Sequence, residues 1–200
     1  MELMKRIIKY CLYITLMTTL STQATDHHTE SALFAAGCFW CAEHDFETLP
    51  GVAKVISGYT GGTEKNPTYE QVSSGTTGHF ESIKVIYHPS EISYQQLLDF
   101  FWHHVDPTDP NGQFCDKGKQ YRSVIFYSND KEKVLAEKSK QALIKSGKFK
   151  TIETLILPAS TFYPAEDYHQ DYSHKNPVRY KFYRYSCGRD QRIKELWGHD

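Results

Sequence analysis

The sequence predicts an α+β fold: a mixed, largely antiparallel sheet with helices packed on it, in a split βαβ, ferredoxin-like core. Three observations predict it. Patterned segments run in the order β-α-β-β-α-β-α-β, which is not the strict alternation of a doubly wound parallel sheet. The chain has 200 residues, the length of one ordinary domain. Apolar residues make up 40% of it and charged residues 24%, enough to bury a core and unlike a disordered chain.

The elements follow in order. Ala32-Leu33-Phe34-Ala35 reads as a short buried strand, closed by Gly37. From Phe39, the residues Trp40, Phe46 and Leu49 suit a helix that stops at Pro50-Gly51. Val52 to Tyr59 reads as a strand, and Gly61-Gly62 and Asn66-Pro67 mark a long loop. Tyr69-Glu70-Gln71-Val72 reads as one helical turn. His79 to Tyr87 alternates through Phe80, Ile83, Val85 and Tyr87, as a half-buried strand does. Ser93 opens a helix whose Tyr94, Leu97, Leu98, Phe101 and Trp102 share one face. Arg122 to Tyr127 is a strand, Asp130 to Ser146 a lysine-rich helix ended by Gly147, and Thr151 to Leu157 a strand. Beyond Phe162 the chain turns aromatic and polar, and residues 178–200 read as an irregular, basic surface tail.

Residues 1–24 read as an address. Lys5, Arg6 and Lys9 precede the apolar run Tyr10 to Leu20, and Thr22-Gln23-Ala24 supplies small residues for cleavage after Ala24. The run is shorter than the roughly 20 apolar residues of a membrane span. A cleaved secretory signal is expected, with secretion to the periplasm, then a loose segment 25–31 and a single domain over 32–200. Its removal takes Glu2 and three cations, so the net charge of −1 falls by two to −3. Such a balance excludes a protein whose main task is gripping nucleic acid. It also leaves four of the five cysteines, Cys38, Cys41, Cys115 and Cys187, in a compartment where thiols oxidise.

Gly37-Cys38-Phe39-Trp40-Cys41 is the sharpest chemical signal. A cysteine at a strand-to-helix junction faces free backbone N–H groups and the positive end of the helix, which predicts a lowered pKa and a nucleophilic thiolate at Cys38. Competing readings are a buried structural cysteine, a zinc or sulfur-ligand module built on the four cysteines, and a C-x-x-C thiol–disulfide exchanger. A second C-x-x-C pair for zinc is missing, so no metal is expected. Asp167, His169 and Asp171 read as a hydrogen-bonded scaffold, and His103-His104 as a helix C-terminus.

Further motifs then follow in series: Gly58 to Gly62, Asn66 to Tyr69, Gly78-His79-Phe80-Glu81, Asp116-Lys117-Gly118, Gln120 to Ser123 and Ala165 to Gln170. Together with Gly37 to Trp40, over residues 32–177, they resemble the A-type peptide-methionine sulfoxide reductase family. The resemblance implies reduction of the S-epimer of methionine sulfoxide, free or in proteins. It implies Cys38 as the nucleophile and Glu81 as the acid that protonates the departing oxygen. It places the S-methyl group against Phe39 and Trp40, and the sulfoxide oxygen near Tyr69, Asp116 and Tyr121. The sulfenic acid left on Cys38 then condenses with another thiol. Cys187, in a tail of the kind where the family often keeps this residue, is the preferred partner, and Cys41, one turn from Cys38, is the alternative. Cys115, the third possible partner, precedes Asp116 and is expected simply to line the pocket. No organic cofactor is implied; the reductant is an external thioredoxin-like protein acting on a monomer.

Overall fold

A computed structural model describes residues 28–198. The secretory signal and residues 25–27 of the segment 25–31 lie outside the described residues, and Glu30 and Ser31, expected to be loose, already belong to the first strand. The elements are β1 (Glu30–Ala36), α1 (Phe39–Glu47), β2 (Val52–Thr60), α2 (Tyr69–Ser73), β3 (Phe80–Tyr87), α3 (Tyr94–His103), β4 (Gly112–Gln113), β5 (Asp116–Lys117), a 3-10 turn (Lys119–Tyr121), β6 (Ser123–Tyr127), α4 (Asp130–Ser146), β7 (Leu155–Pro158), β8 (Tyr163–Pro164), α5 (Tyr172–Lys175), α6 (Pro177–Cys187) and α7 (Arg189–Trp197).

Six strands form one sheet in the order β7-β6-β1-β3-β2-β8, and β4 and β5 form a small hairpin. β3 lies between β1 and β2 and is antiparallel to both. β6 is antiparallel to β1, and β7 alone is parallel to its neighbour β6. The alternation along β3 sends Ile83, Val85 and Tyr87 to one face, where they join Phe34, Val55 and Tyr59. α1 and α3 cover that face with Phe39 and Phe46, and with Leu97, Leu98 and Phe101. Each such side chain, fully buried, contributes about 1.5–3 kcal/mol of transfer free energy. The opposite face buries Leu33, Ala35, Val124 and Phe126 under Phe162 and neighbours.

Helix starts follow the sequence chemistry. Ser93 and Thr68 each make a capping box with the glutamine three residues on, Gln96 and Gln71. Asn129 caps α4, which buries only Ala136 and Ser139; Lys131, Lys138 and Lys145 face water, while half-buried Lys140 donates to Thr154 O at 2.6 Å. Trp102 donates from Nε1 to Ser139 Oγ at 2.9 Å, which fixes α4 against α3.

Two expectations change. The strand read from Thr151 begins at Leu155, because the Glu153 N–H donates to Pro107 O at 2.7 Å and leaves the ladder. The irregular tail is helical. Pro177 stands at the first position of α6, and Gly188 (φ +68°) turns the chain into α7. The apolar pattern hid these helices because their inward positions are tyrosine and arginine. Arg189 is 2% exposed and donates to Ala36 O at 3.0 Å and His104 O at 2.9 Å. Arg184 pairs with Asp45 on α1 and with Asp190, both at 2.6 Å. These arginines are structural anchors, not surface charge. No helix among the described residues is long and apolar enough to cross a membrane.

Candidate active site

Cys38 lies where β1 passes into α1, as the residue before the first helical turn. Gly37 makes the junction possible. Its φ is +82°, and a Cβ there would stand 2.6 Å from Gln113 Cβ. The turn delivers Cys38, Phe39 and Trp40 to one small cavity of about 60 Å³, completed by Tyr69, Glu81, Asp116, Tyr121 and Tyr183. Every substrate or catalytic residue expected from the sequence, the resolving thiol apart, therefore lines a single pocket.

Four regions of the chain meet there. Tyr69 is the first residue of α2, and its N–H donates to Glu166 Oε1 at 2.9 Å. Glu166 Oε2 also accepts from the Tyr59 hydroxyl at 2.8 Å, so one carboxylate fixes β2 and α2 together. Trp40 donates from Nε1 to His169 Nδ1 at 3.0 Å and stacks on Tyr172 with centroids 3.7 Å apart. Burial holds the His169 pKa down, which suits the neutral acceptor this bond requires. The expected scaffold role of His169 is thus observed, while Glu166, Tyr59 and Tyr172 are supports the sequence reading passed over.

Glu81 faces the cavity from β3 and is 2% exposed. Its Oε2 accepts the Phe39 N–H at 3.1 Å. Burial, with Asp116 adding repulsion, pushes its pKa up to about 8 despite that hydrogen bond. The carboxyl is therefore protonated at pH 7. Asp116 is also raised by burial, and Tyr69 is raised to about 12 by burial and by Glu81. Tyr121 is raised for the same reasons. Glu81, Tyr69 and Tyr121 thus bring neutral O–H groups to the pocket, beside the Asp116 carboxyl.

Cys38 departs from expectation. Burial first, then the hydrogen bond to Cys41 and the acids Glu81 and Asp116, push its pKa up. The lowering falls on Cys41, whose sulfur accepts that hydrogen bond and lies in the field of Arg189 and Arg184. Both thiols are free and buried. A helix N-terminus stabilises a thiolate only as far as burial and neighbouring carboxyls permit, and here the neighbours decide.

Cys115 is also corrected. It does not line the cavity; it is exposed and forms a disulfide with Cys187, with Cα atoms 4.9 Å apart. Cys115 sits at the tip of the β4–β5 hairpin, beside Asp116, and Cys187 ends α6. Cys187 Sγ is 4.0 Å from Asp116 Oδ2. One turn earlier, Tyr183 donates to the same Asp116 oxygen at 2.5 Å and meets Trp40 edge-on. Tyr183 was missed as a pocket residue. Its four-residue spacing from Cys187, after Asn176-Pro177, was the available signal.

The disulfide removes two sulfurs from any four-cysteine metal module. Among the described residues, the other cluster with metal-ligand spacing is Glu43, Glu47 and Asp171, away from the cavity.

Comparison with known proteins agrees with this geometry. The family model for peptide methionine sulfoxide reductase matches residues 30–200. The chain is 54% identical over 170 residues to the peptide methionine sulfoxide reductase MsrA of Halalkalibacterium halodurans, covering 84% of this chain and 97% of that one. It is 54% identical to the Bacillus subtilis MsrA, over 84% and 96% of the two chains. Methionine sulfoxide reductase A of Corynebacterium diphtheriae has the same fold, with a TM-score of 0.68 and 34% identity over 80% of this chain and 81% of that one. The reduced form of Mxr1 from Saccharomyces cerevisiae also gives 0.68, at 37% identity over 74% and 86%. The matched span takes in every residue of the cavity, and the chain therefore belongs to the peptide methionine sulfoxide reductase family, as an oxidoreductase that reduces methionine sulfoxide.

Proposed function

We propose that the protein reduces the S-epimer of methionine sulfoxide, free or in proteins, by a two-thiol cycle. The carrying observation is a buried carboxyl with a pKa near 8, Glu81, in the same small cavity as the Cys38 thiol. Cys38 gives its proton to the Cys41 sulfur that accepts its hydrogen bond. Its sulfur then attacks the sulfoxide sulfur. Glu81 protonates the departing oxygen, helped by the hydroxyls of Tyr69 and Tyr121. Phe39 and Trp40 seat the S-methyl group. The products are the thioether and a Cys38 sulfenic acid.

Cys41 resolves that sulfenic acid. It is in hydrogen-bond contact with Cys38 and its thiol is the more acidic of the pair. Cys187, the partner preferred from sequence, is engaged by Cys115. Attack by Cys41 releases water and leaves a Cys38–Cys41 disulfide. A thioredoxin-like dithiol protein returns the two electrons, and no prosthetic group takes part. The exposed Cys115–Cys187 disulfide fits such a dithiol-dependent mechanism. A plain C-x-x-C exchanger is disfavoured, because disulfide exchange has no use for a protonated Glu81.

The protein acts as a monomer, since one chain supplies the whole cavity. It is exported by residues 1–24; an exposed disulfide suits an oxidising compartment such as the periplasm. Finding the protein in the cytosol, with residue 1 still attached, would overturn the export proposal. The function is tested by single-turnover reduction of the two sulfoxide epimers by pre-reduced protein, with thiols counted before and after. Reduction of the S-epimer alone, with two thiols lost per sulfide formed, is expected. A folded, reduced protein that leaves both epimers intact overturns the reading.

A further inference from the structure

Tyr183 and the Cys115–Cys187 disulfide are not used by this cycle, yet they meet at its pocket. The cavity beside Cys38 has about 60 Å³. Tyr183 is the wall that comes from the outermost layer. Its hydroxyl is bound to Asp116, a residue otherwise available to the sulfoxide oxygen. The disulfide joins the neighbour of Asp116 to the helix of Tyr183, one turn away.

Gly188 links α6 to α7 at φ +68°, with nothing within 4 Å of the Cβ position. α7 is anchored by the buried Arg189. The outward face of α6 carries Val178, Phe182 and Tyr185, which are 83%, 73% and 86% exposed. The last turn of α6 is thus held by its inner side: Tyr183 on Asp116, Arg184 on Asp45 and Asp190, and the disulfide.

We propose that Tyr183 is a positioning residue that gates the pocket, and that the Cys115–Cys187 disulfide is the latch holding the gate shut. The proposal rests on the reductase reading above and adds a control of substrate entry. A donor thiolate attacks the exposed Cys115 sulfur, and Cys187 leaves as a thiolate and takes a proton. The donor's second thiol breaks the mixed disulfide, so the donor loses two electrons and the latch gains them. The α6 turn then loosens, Tyr183 leaves Asp116, and the sulfoxide enters. Substrate binds best when reducing equivalents are at hand.

The test compares wild-type protein, with mass spectrometry confirming the Cys115–Cys187 bond and free Cys38 and Cys41, with a Cys115→Ser/Cys187→Ser double variant, pre-reduced and freed of reductant. If the open form is about a tenth of the latched population, the substrate concentration for half-maximal single turnover is ~10-fold higher in the latched protein, at an equal limiting rate. Alkylation of Cys38 by iodoacetamide is slowed by a similar factor. Tyr183→Ala, with the disulfide intact, removes both differences. Equal half-saturation and equal alkylation in latched and unlatched protein overturn the latch. Should neither form reduce sulfoxide, the reductase reading fails, and the alkylation rates still decide the gate.

Discussion

Cys38 and Cys41 lie three residues apart and buried at the head of α1, whereas Cys115 and Cys187 lie 72 residues apart and meet at the surface. The two pairs do different physical work. Bonding the first closes a loop of a few residues, which removes little entropy from the unfolded chain, so it can open and close in every cycle at small cost to the fold. Bonding the second closes a loop of 72 residues, which the chain-entropy account values at ~4 kcal/mol. The inner pair is surrounded by carboxyls, arginines and tyrosines that set its acidity. The outer pair faces water and ties a hairpin to a helix. Spacing in the sequence separates chemistry from architecture here, and the latch links them only through Tyr183 and Asp116.

The comparison breaks most severely at Glu81. Glu81→Gln keeps the shape and the Phe39 contact but supplies no acidic proton, so single-turnover sulfoxide reduction falls ~10²–10⁴-fold. Cys38 alkylation is not slowed, since it needs no proton from Glu81. A fall of less than threefold would move the acid elsewhere and make the inner region an ordinary dithiol. The next effect belongs to the outer region. Removing the second disulfide with Cys115→Ser/Cys187→Ser lowers unfolding free energy by ~2–4 kcal/mol in denaturant titration. An unchanged midpoint would show that the surface bond carries no architectural load.

Cys41→Ser sharpens the distinction from the other side. The first sulfide still forms, since Cys38 and Glu81 remain, but more slowly, because the sulfur that takes the Cys38 proton is lost. Steady turnover with a dithiol donor drops ~10-fold or more, because an intramolecular thiol is lost. A dimedone adduct on Cys38 should accumulate. If turnover survives in Cys41→Ser and fails in Cys187→Ser, the two pairs exchange roles.

The inner region was far more legible than the outer. Phe39, Trp40, Tyr69, Glu81, Asp116 and Tyr121 sit in short motifs whose residue types match their task, and the strand and helix periods place them. The sulfur acidities were not legible, because they depend on Arg184 and Arg189 arriving from more than 140 residues away. Nor was the Cys115–Cys187 bond, since a helix whose inward positions are Tyr180, Tyr183 and Arg184 leaves no apolar stripe. Tertiary ion pairs replaced periodicity as the folding signal. The sequence reading therefore took an anchored helical layer for a solvated tail, and with it missed Tyr183.

The smallest effect is also the most diagnostic of the inner region. Burial raises Glu81 to about 8, so the carboxyl carries its proton below that pH and loses it above. The protonated fraction falls about tenfold per pH unit beyond the pKa. The Cys41 thiol is lowered by its hydrogen bond from Cys38 and by the two arginines, which favours its role as base. The single-turnover rate should be level up to about pH 8 and then fall with unit slope. The native state loses stability below that interval, as pH rises from the ordinary carboxyl value of about 4.5 to about 8, because there the unfolded chain has released a proton that buried Glu81 still holds; above about pH 8 both states are ionised and this contribution is flat. Glu81→Gln removes both dependences. An unassisted thiol shows the opposite trend, reacting faster as its thiolate fraction grows. A rate that climbs from pH 7.5 to 9.5 would mean that ionisation of Cys38, not the proton on Glu81, limits the step, and the contrast between the two cysteine pairs would then rest on exposure alone.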